Sequence, residues 1–330
     1  METSVMHKTN VVLLCPGQGA QIVGMGQGWM EAHPAAAQTF AAADEVVDLG
    51  GIGSLTSLCF AGPADALNRT DVSQPALFTA GVASFQGLLD GWGGADLFAT
   101  LGLSLGEYTA LHLAGAFGFR DGLKLVATRG RLMQEAAEAS EGGMVALVGA
   151  DEDQANEVCD AARGDDILVP ANFNATGQIV ISGSKTACER AVTAAGEMRL
   201  RATSLAVAGA FHSPLMAPAA EGMAKALEEV DFQPLSTVVY SNVTGKPHDP
   251  DNPELLKTRL IEQLTTPVRW SSNCLDLART VSETPESDRP QIHELAPGKV
   301  LKGLFRRIDK TVEVTSHDQP DPAPDHSNAS

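Results

Sequence analysis

The chain has 330 residues, 44% of them apolar and 19% charged. That is enough for a sizeable core in one large domain with an insertion, or in two medium ones, with the proportions of a soluble globular protein. Twenty-three basic residues against 41 acidic ones leave a net charge of −18, which argues against non-specific attraction to nucleic acid or to an anionic membrane.

The predicted elements, in chain order, begin with a short apolar strand at 11–15, stopped by Pro16-Gly17. Alanine-rich helices are expected at 35–49 and 76–89. A second buried strand, 97–103, breaks at Ser104 and leads into a helix at 107–114. At 123–139, Leu123, Val126, Ala127, Leu132 and Met133 can share a helical face, with Arg129 and Arg131 around it. After Glu141-Gly142-Gly143 the texture changes. Strands at 144–149, 178–182 and 202–207 and an extended stretch at 167–171 alternate with helices at 152–162 and 185–195. That pattern predicts a small ferredoxin-like α+β domain, 141–207, inserted into a larger α/β domain made of 1–140 and 208–315. The larger domain resumes with a helix at 215–230 and a strand at 237–241. A helix at 254–264, a strand at 291–295 and a last helix at 300–307 follow. Residues 316–330 are Asp, Pro, Ser, Asn and His with almost nothing apolar, so a disordered tail is expected.

Five scattered cysteines, none in a C-x-x-C pair, read as reduced thiols. The first residues lack the pattern of a signal peptide, and no stretch approaches the roughly 18 apolar residues of a membrane span. The expectation is a cytoplasmic protein.

Gly102-Leu103-Ser104-Leu105-Gly106 is G-x-S-x-G between an apolar strand and a helix, the context that makes the motif a nucleophile elbow. The glycines allow a sharp turn that lifts the hydroxyl to a helix N-terminus, where free N–H groups can face an oxyanion. A glycine-flanked serine that only caps a helix is the bland alternative. A serine nucleophile needs a base. Of eight histidines, His7, His317 and His326 lie near the termini and read as solvated, and His33 and His248 adjoin prolines. His112 reads as a packing residue, and His293 goes with a strand. His212, in Gly209-Ala210-Phe211-His212-Ser213-Pro214, sits at the junction of the two domains, where a cleft would form. Spacing alone makes it the best of eight. No Asp or Glu stands out as a third triad member, and a carbonyl could hold the imidazole instead.

Seven segments taken in order are CPGQGAQ (15–21), GLSLGEYTAL (102–111), TRGRLMQ (128–134), NFNATGQIVISG (172–183), GAFHSPLM (209–216), QLTTPVRW (263–270) and APGKVLKGL (296–304). Together they resemble the malonyl-CoA:acyl carrier protein transacylases of bacterial and plastid fatty acid synthesis, over residues 11 to 308. The resemblance implies an α/β-hydrolase-like large domain with a parallel sheet, and a ping-pong transfer of malonyl from coenzyme A to the carrier's phosphopantetheine thiol. It implies that Ser104 forms the acyl-enzyme and His212 takes its proton. Gln18 and Leu105 would give backbone N–H groups to the oxyanion. Arg129 would bind the malonyl carboxylate, and the backbone carbonyl of Gln263 would orient the histidine. Phe211 resembles the form associated with malonyl rather than branched acyl groups, with plain core packing equally open. Asn172 and Asn174 would shape the cleft. Leu103 departs from the histidine that many relatives carry before the nucleophile.

No metal or redox cofactor is implied, and the partners are malonyl-CoA and acyl carrier protein, with no nucleic acid or membrane. The family is usually monomeric. Carriers of this kind are acidic, as is this chain, so docking calls for a local basic patch. Lys299, Lys302, Arg306 and Arg307 on the last helix, with Arg199 and Arg201, are the candidates. Three other readings stay open on the residues. An esterase or thioesterase shares G-x-S-x-G but wants an acid and has no use for Arg129. A degenerate scaffold would only bind carrier. A stand-alone acyltransferase could serve a polyketide synthase.

Overall fold

The structure, a computed structural model, describes residues 9–321. Five strands, β1 (Thr9–Cys15), β2 (Ala95–Gly102), β7 (Val238–Val239), β8 (Gln291–Glu294) and β9 (Val314–Ser316), form a parallel sheet in the order β7-β2-β1-β8-β9. β1 is its centre and reads as an unbroken apolar run because both faces are covered. Val11, Leu13 and Cys15 join a core with the helices Pro34–Val46, Thr70–Trp92, Gly106–Leu113 and Phe119–Glu138. Val12 and Leu14 face the helices Trp270–Glu283 and Val300–Ile308.

Between β2 and β7 the chain builds a second sheet from β3 (Gly142–Val148), β4 (Leu168–Ala175), β5 (Gln178–Ser184) and β6 (Arg201–Ser204). Its order, β4-β5-β3-β6, is antiparallel throughout. With the helices Glu152–Arg163 and Lys185–Glu197 it runs βαββαβ, the ferredoxin-like arrangement expected. Period-2 alternation divides its residues. Val145, Leu147, Ile179 and Ile181 pack under the two helices, while Met144 and Val180 turn toward the main core. Asp151 opens the first of these helices with a capping box closed by Gln154. The β4 edge is stitched to the larger sheet's domain by Val268, which bonds to Ala171 and Phe173.

Several expectations shift. The helix Thr70–Trp92 starts six residues before the expected 76, since Pro75 lies inside its first turns rather than at its start. The helix Trp270–Glu283 was not anticipated, because Ser-Ser-Asn near its start has poor helix propensity. Its face of Trp270, Asn273, Cys274, Leu277 and Ala278 is buried at helical spacing. The expectation of a disordered tail from 316 is corrected: Ser316 closes β9 and donates to Glu294. His317 is buried, with its Nε2 2.8 Å from His293 Nδ1. It is therefore not a solvated terminal residue. The rest of that stretch, 322–330, lies outside the described residues, as do His7 and His326. All five cysteines are buried and free. No helix of the described residues is long and apolar enough to cross a membrane.

Candidate active site

Ser104 follows β2 and precedes the helix Gly106–Leu113, with φ 53° in the left-handed region that non-glycine residues rarely adopt. The flanking glycines make the turn possible. A Cβ on Gly102 would lie 1.8 Å from the Gly106 carbonyl carbon, and one on Gly106 would lie 2.0 Å from the Cys15 oxygen. Asn242 braces the turn: its Oδ1 accepts the Ser104 N–H at 2.6 Å and its Nδ2 donates to the Gly102 carbonyl at 2.7 Å.

Ser104 Oγ lies 2.8 Å from His212 Nε2, and His212 Nδ1 lies 2.7 Å from the carbonyl oxygen of Gln263. A carbonyl only accepts, so Nδ1 carries the proton and Nε2 presents its lone pair to the serine hydroxyl. The backbone carbonyl stands where a hydrolase triad would place an acid. Burial is the main cause that lowers the His212 pKa to about 4; the Arg129 charge lowers it too, and the Gln263 carbonyl opposes them. His212 itself sits at φ 56°.

Arg129 occupies the buried stripe of the helix Phe119–Glu138, in register with Val126, Gly130 and Met133. Arg131 faces solvent and pairs with Glu135. The Arg129 guanidinium is 1% exposed. It donates to Gln74 Oε1 at 2.7 Å, to Gln263 Oε1 at 2.8 Å and to Ser104 Oγ at 3.1 Å. Its Nε has no partner among the described residues. Burial lowers its pKa, opposed chiefly by Tyr108 and Glu107, though a guanidinium stays charged in proteins.

Ser104 and His212 open onto a cleft of about 350 Å³ between the two sheets' domains, lined also by Gln18, Leu103, Met133 and Phe211, among others, with Arg129 reaching Ser104 from behind the wall. Phe211 is buried apart from its edge on the cleft. Asn172 and Asn174 are also on the wall, and Asn174 Oδ1 is buried without a partner among the described residues. Leu103 lies on this wall. The backbone N–H groups of Gln18 and Leu105 make no hydrogen bond among the described residues, which leaves both free for a ligand. A larger hollow of about 930 Å³, lined by Ala278, Arg279 and Ile292 among others, has no histidine or cysteine in its lining.

The six basic candidates do not line the cleft. Arg201 stands opposite Val148, which stands opposite Gln178, and Gln178 accepts from Arg307 at 2.6 Å. Lys302 and Arg306 turn the other way, toward Lys310 and β9. Arg199 lies at the turn before β6, with φ 61°.

Three buried polar residues were not singled out in the sequence, Gln74, Glu107 and Asn242, and a fourth, His248, was weighed only as a candidate base. His248 lies in a loop beside Pro247, as expected, but it is buried, with its Nε2 2.7 Å from Glu107 Oε1. The only available signal was their polarity inside or beside apolar segments. His112 packs on Phe78, as expected of a packing residue.

A family model for the acyl transferase domain matches residues 12–284. The malonyl CoA-acyl carrier protein transacylase of Escherichia coli (strain K12) is 36% identical over 315 residues, which cover 94% of this chain and 97% of that protein. The crystal structure of malonyl-CoA:acyl carrier protein transacylase from Xanthomonas oryzae pv. oryzae aligns with a TM-score of 0.85 at 39% identity, covering 96% of each chain. A malonyl-transacylase solved in complex with a type II PKS acyl-carrier protein aligns with a TM-score of 0.85 at 36% identity, over 94% of this chain and 96% of that one. With the elbow, the base and its carbonyl in place, and with relatives matched along nearly their whole length, the chain belongs to the malonyl-CoA:acyl carrier protein transacylase family.

Proposed function

We propose that this protein moves a malonyl group from malonyl-CoA to the phosphopantetheine thiol of acyl carrier protein through an ester on Ser104. The observation that carries the reading is the Arg129 Nη2 held 3.1 Å from the Ser104 hydroxyl. The carboxylate of a malonyl group is only two bonds from the thioester carbonyl, so a cation beside the nucleophile reaches it. Ser104 Oγ attacks the thioester carbon as its proton passes to His212 Nε2. The oxyanion rests on the N–H groups of Gln18 and Leu105. The carbon–sulfur bond breaks, and His212 returns the proton to the departing thiol. The carrier's thiol then attacks the ester and reverses these steps. The exchange of thioester for ester and back needs no electron acceptor, and no cofactor beyond the side chains named.

Selection rests on what an acetyl group leaves behind. A charge-assisted hydrogen bond contributes roughly 1.5–3 kcal/mol, and a substrate without the carboxylate leaves the buried guanidinium unfilled. Phe211 narrows the cleft against a branched chain.

Residues 1–140 together with 208 onward would form the catalytic domain and 141–207 the inserted one, acting as a monomer in the cytoplasm. The carrier would dock where Arg199 and Arg201 of the inserted domain approach Lys299, Lys302, Arg306 and Arg307. Arg201, Val148 and Gln178 are cross-strand neighbours, so Arg201 and the Gln178–Arg307 contact are about two strand spacings, ~10 Å, apart. They share the face that carries Met144 and Val180 to the cleft, which favours Arg307 and Arg201 within the group.

The test is intact-protein mass after brief mixing with malonyl-CoA or acetyl-CoA. Wild type should gain a malonyl-sized increment, Ser104→Ala none, and Arg129→Ala should favour acetyl. No adduct on wild type, or equal adducts from both thioesters, would sink the reading.

A further inference from the structure

We propose that Glu107 is a positioning residue for acyl selection: it decides which end of the Gln263 amide faces Arg129. The inference rests on the reading of Arg129 as the malonyl-binding cation. Glu107 is buried one helical turn after Ser104, and both its oxygens are occupied. Oε2 accepts from Gln263 Nε2 at 2.6 Å and from the Asn242 N–H at 3.1 Å; Oε1 faces His248 Nε2 at 2.7 Å. Contacts on both oxygens block rotation of the carboxyl group.

A primary amide has a donor end and an acceptor end of nearly the same shape. Between a carboxyl group and a guanidinium, only one orientation satisfies both neighbours. The Gln263 NH₂ donates to Glu107 at 2.6 Å and, more weakly, to the Ser104 carbonyl at 3.1 Å, and its oxygen accepts Arg129 Nη2 at 2.8 Å. Reversed, it would set donor against donor at Arg129 and acceptor against acceptor at Glu107, both buried. On its other side, Arg129 Nη1 is held by the amide oxygen of Gln74 at 2.7 Å. Two amide oxygens thus aim the cation at the Ser104 hydroxyl, and no carboxylate of the described residues bonds to it. A carboxylate in direct contact would occupy the donors that the substrate needs. Through Gln263, Glu107 keeps its negative charge one residue back. The same carboxyl group holds Asn242, whose side chain braces the Ser104 turn.

Three substitutions separate reach from charge. Glu107→Asp keeps the charge but is one methylene shorter, which withdraws the acceptor from Gln263. Glu107→Met fills the volume with no comparable acceptor, a second route to the same loss should the Asp variant not fold. Glu107→Gln loses the charge but keeps one oxygen for Gln263 and Asn242, and His248 can take its other tautomer to accept the new NH₂. The readout is the ratio of single-turnover acylation by malonyl-CoA to that by acetyl-CoA, on variants shown by thermal unfolding to be folded. Arg129→Ala runs alongside. The ratio should fall about tenfold or more in Glu107→Asp and Glu107→Met, and be restored to within about threefold of wild type in Glu107→Gln. If Arg129→Ala keeps the wild-type ratio, the reading of Arg129 fails, whatever the Glu107 variants do. If Arg129→Ala loses it, the role of Glu107 is overturned by a folded Asp or Met variant with the wild-type ratio, or by Glu107→Gln falling as far as they do.

Discussion

His212 is buried beside a cation, and both circumstances disfavour its protonated form. With its pKa lowered from 6.5 to about 4, the imidazole is neutral across the neutral range, the form that the proposed proton transfer from Ser104 requires. The active species is the neutral one, so acylation should hold level near neutrality and fall only as the pH drops toward 4. Arg129 is one of the two causes of the lowering. In Arg129→Ala the acid limb for acetyl-CoA should therefore move upward, toward 6.5. Single-turnover acylation of both proteins by acetyl-CoA, measured against pH, checks this; an unmoved limb would show that the cation does not reach the base. At this scale the sequence disclosed the proposed nucleophile, base and cation and, through the resemblance, the Gln263 carbonyl, but not the buried side chains that hold them. Ser104 announces itself through its glycines. Glu107, Asn242 and His248 are ordinary polar residues until the fold brings together positions more than 130 apart in the chain.

The strand–turn–helix around Ser104 is an element defined by what it excludes. A methyl on Gly106 would meet the Cys15 carbonyl, part of the central strand, at 2.0 Å, and no side-chain rotation relieves a backbone clash. Gly106→Ala should cost at the upper end of the roughly 1–3 kcal/mol typical of overpacking, or more, and abolish the malonyl adduct. Gly303, inside the helix Val300–Ile308, has nothing within 4 Å of such a methyl. Gly303→Ala should leave the adduct intact and stabilise the helix by about 0.5–1 kcal/mol. Thermal unfolding with adduct mass reads both. Element types were legible where burial left a plain mark, an unbroken apolar run in β1 or a helical period in the helix Phe119–Glu138. The 14-residue helix Trp270–Glu283 escaped because its buried stripe includes Asn273 and begins amid residues of poor propensity. The strand β9 escaped because its pairing to β8 is decided by tertiary contact.

At the scale of the molecule, the net charge of −18 would repel an acidic carrier, so the docking proposed above rests on a few cations. The last helix divides its basic residues between two faces, Arg307 toward Gln178 of the inserted domain and Arg306 toward Lys310. Arg307→Glu and Arg201→Glu should raise the KM for acyl carrier protein and not that for malonyl-CoA, with a smaller effect from Arg306→Glu. Equal changes for both substrates would remove the docking role. The two-domain layout could be read from the change of texture at Gly142-Gly143, but the division of that helix could not, since it depends on where the β4–β5 turn lands. One further property follows from the five buried cysteines. Burial raises the pKa of each thiol, to about 12 for Cys59 and Cys159 and well above the ordinary range for Cys274. Acyl thioesters exchange readily with thiolates. A protein that passes acyl groups between two foreign thiols therefore keeps its own protonated and out of reach, so the cargo has no sulfur of the enzyme on which to go astray.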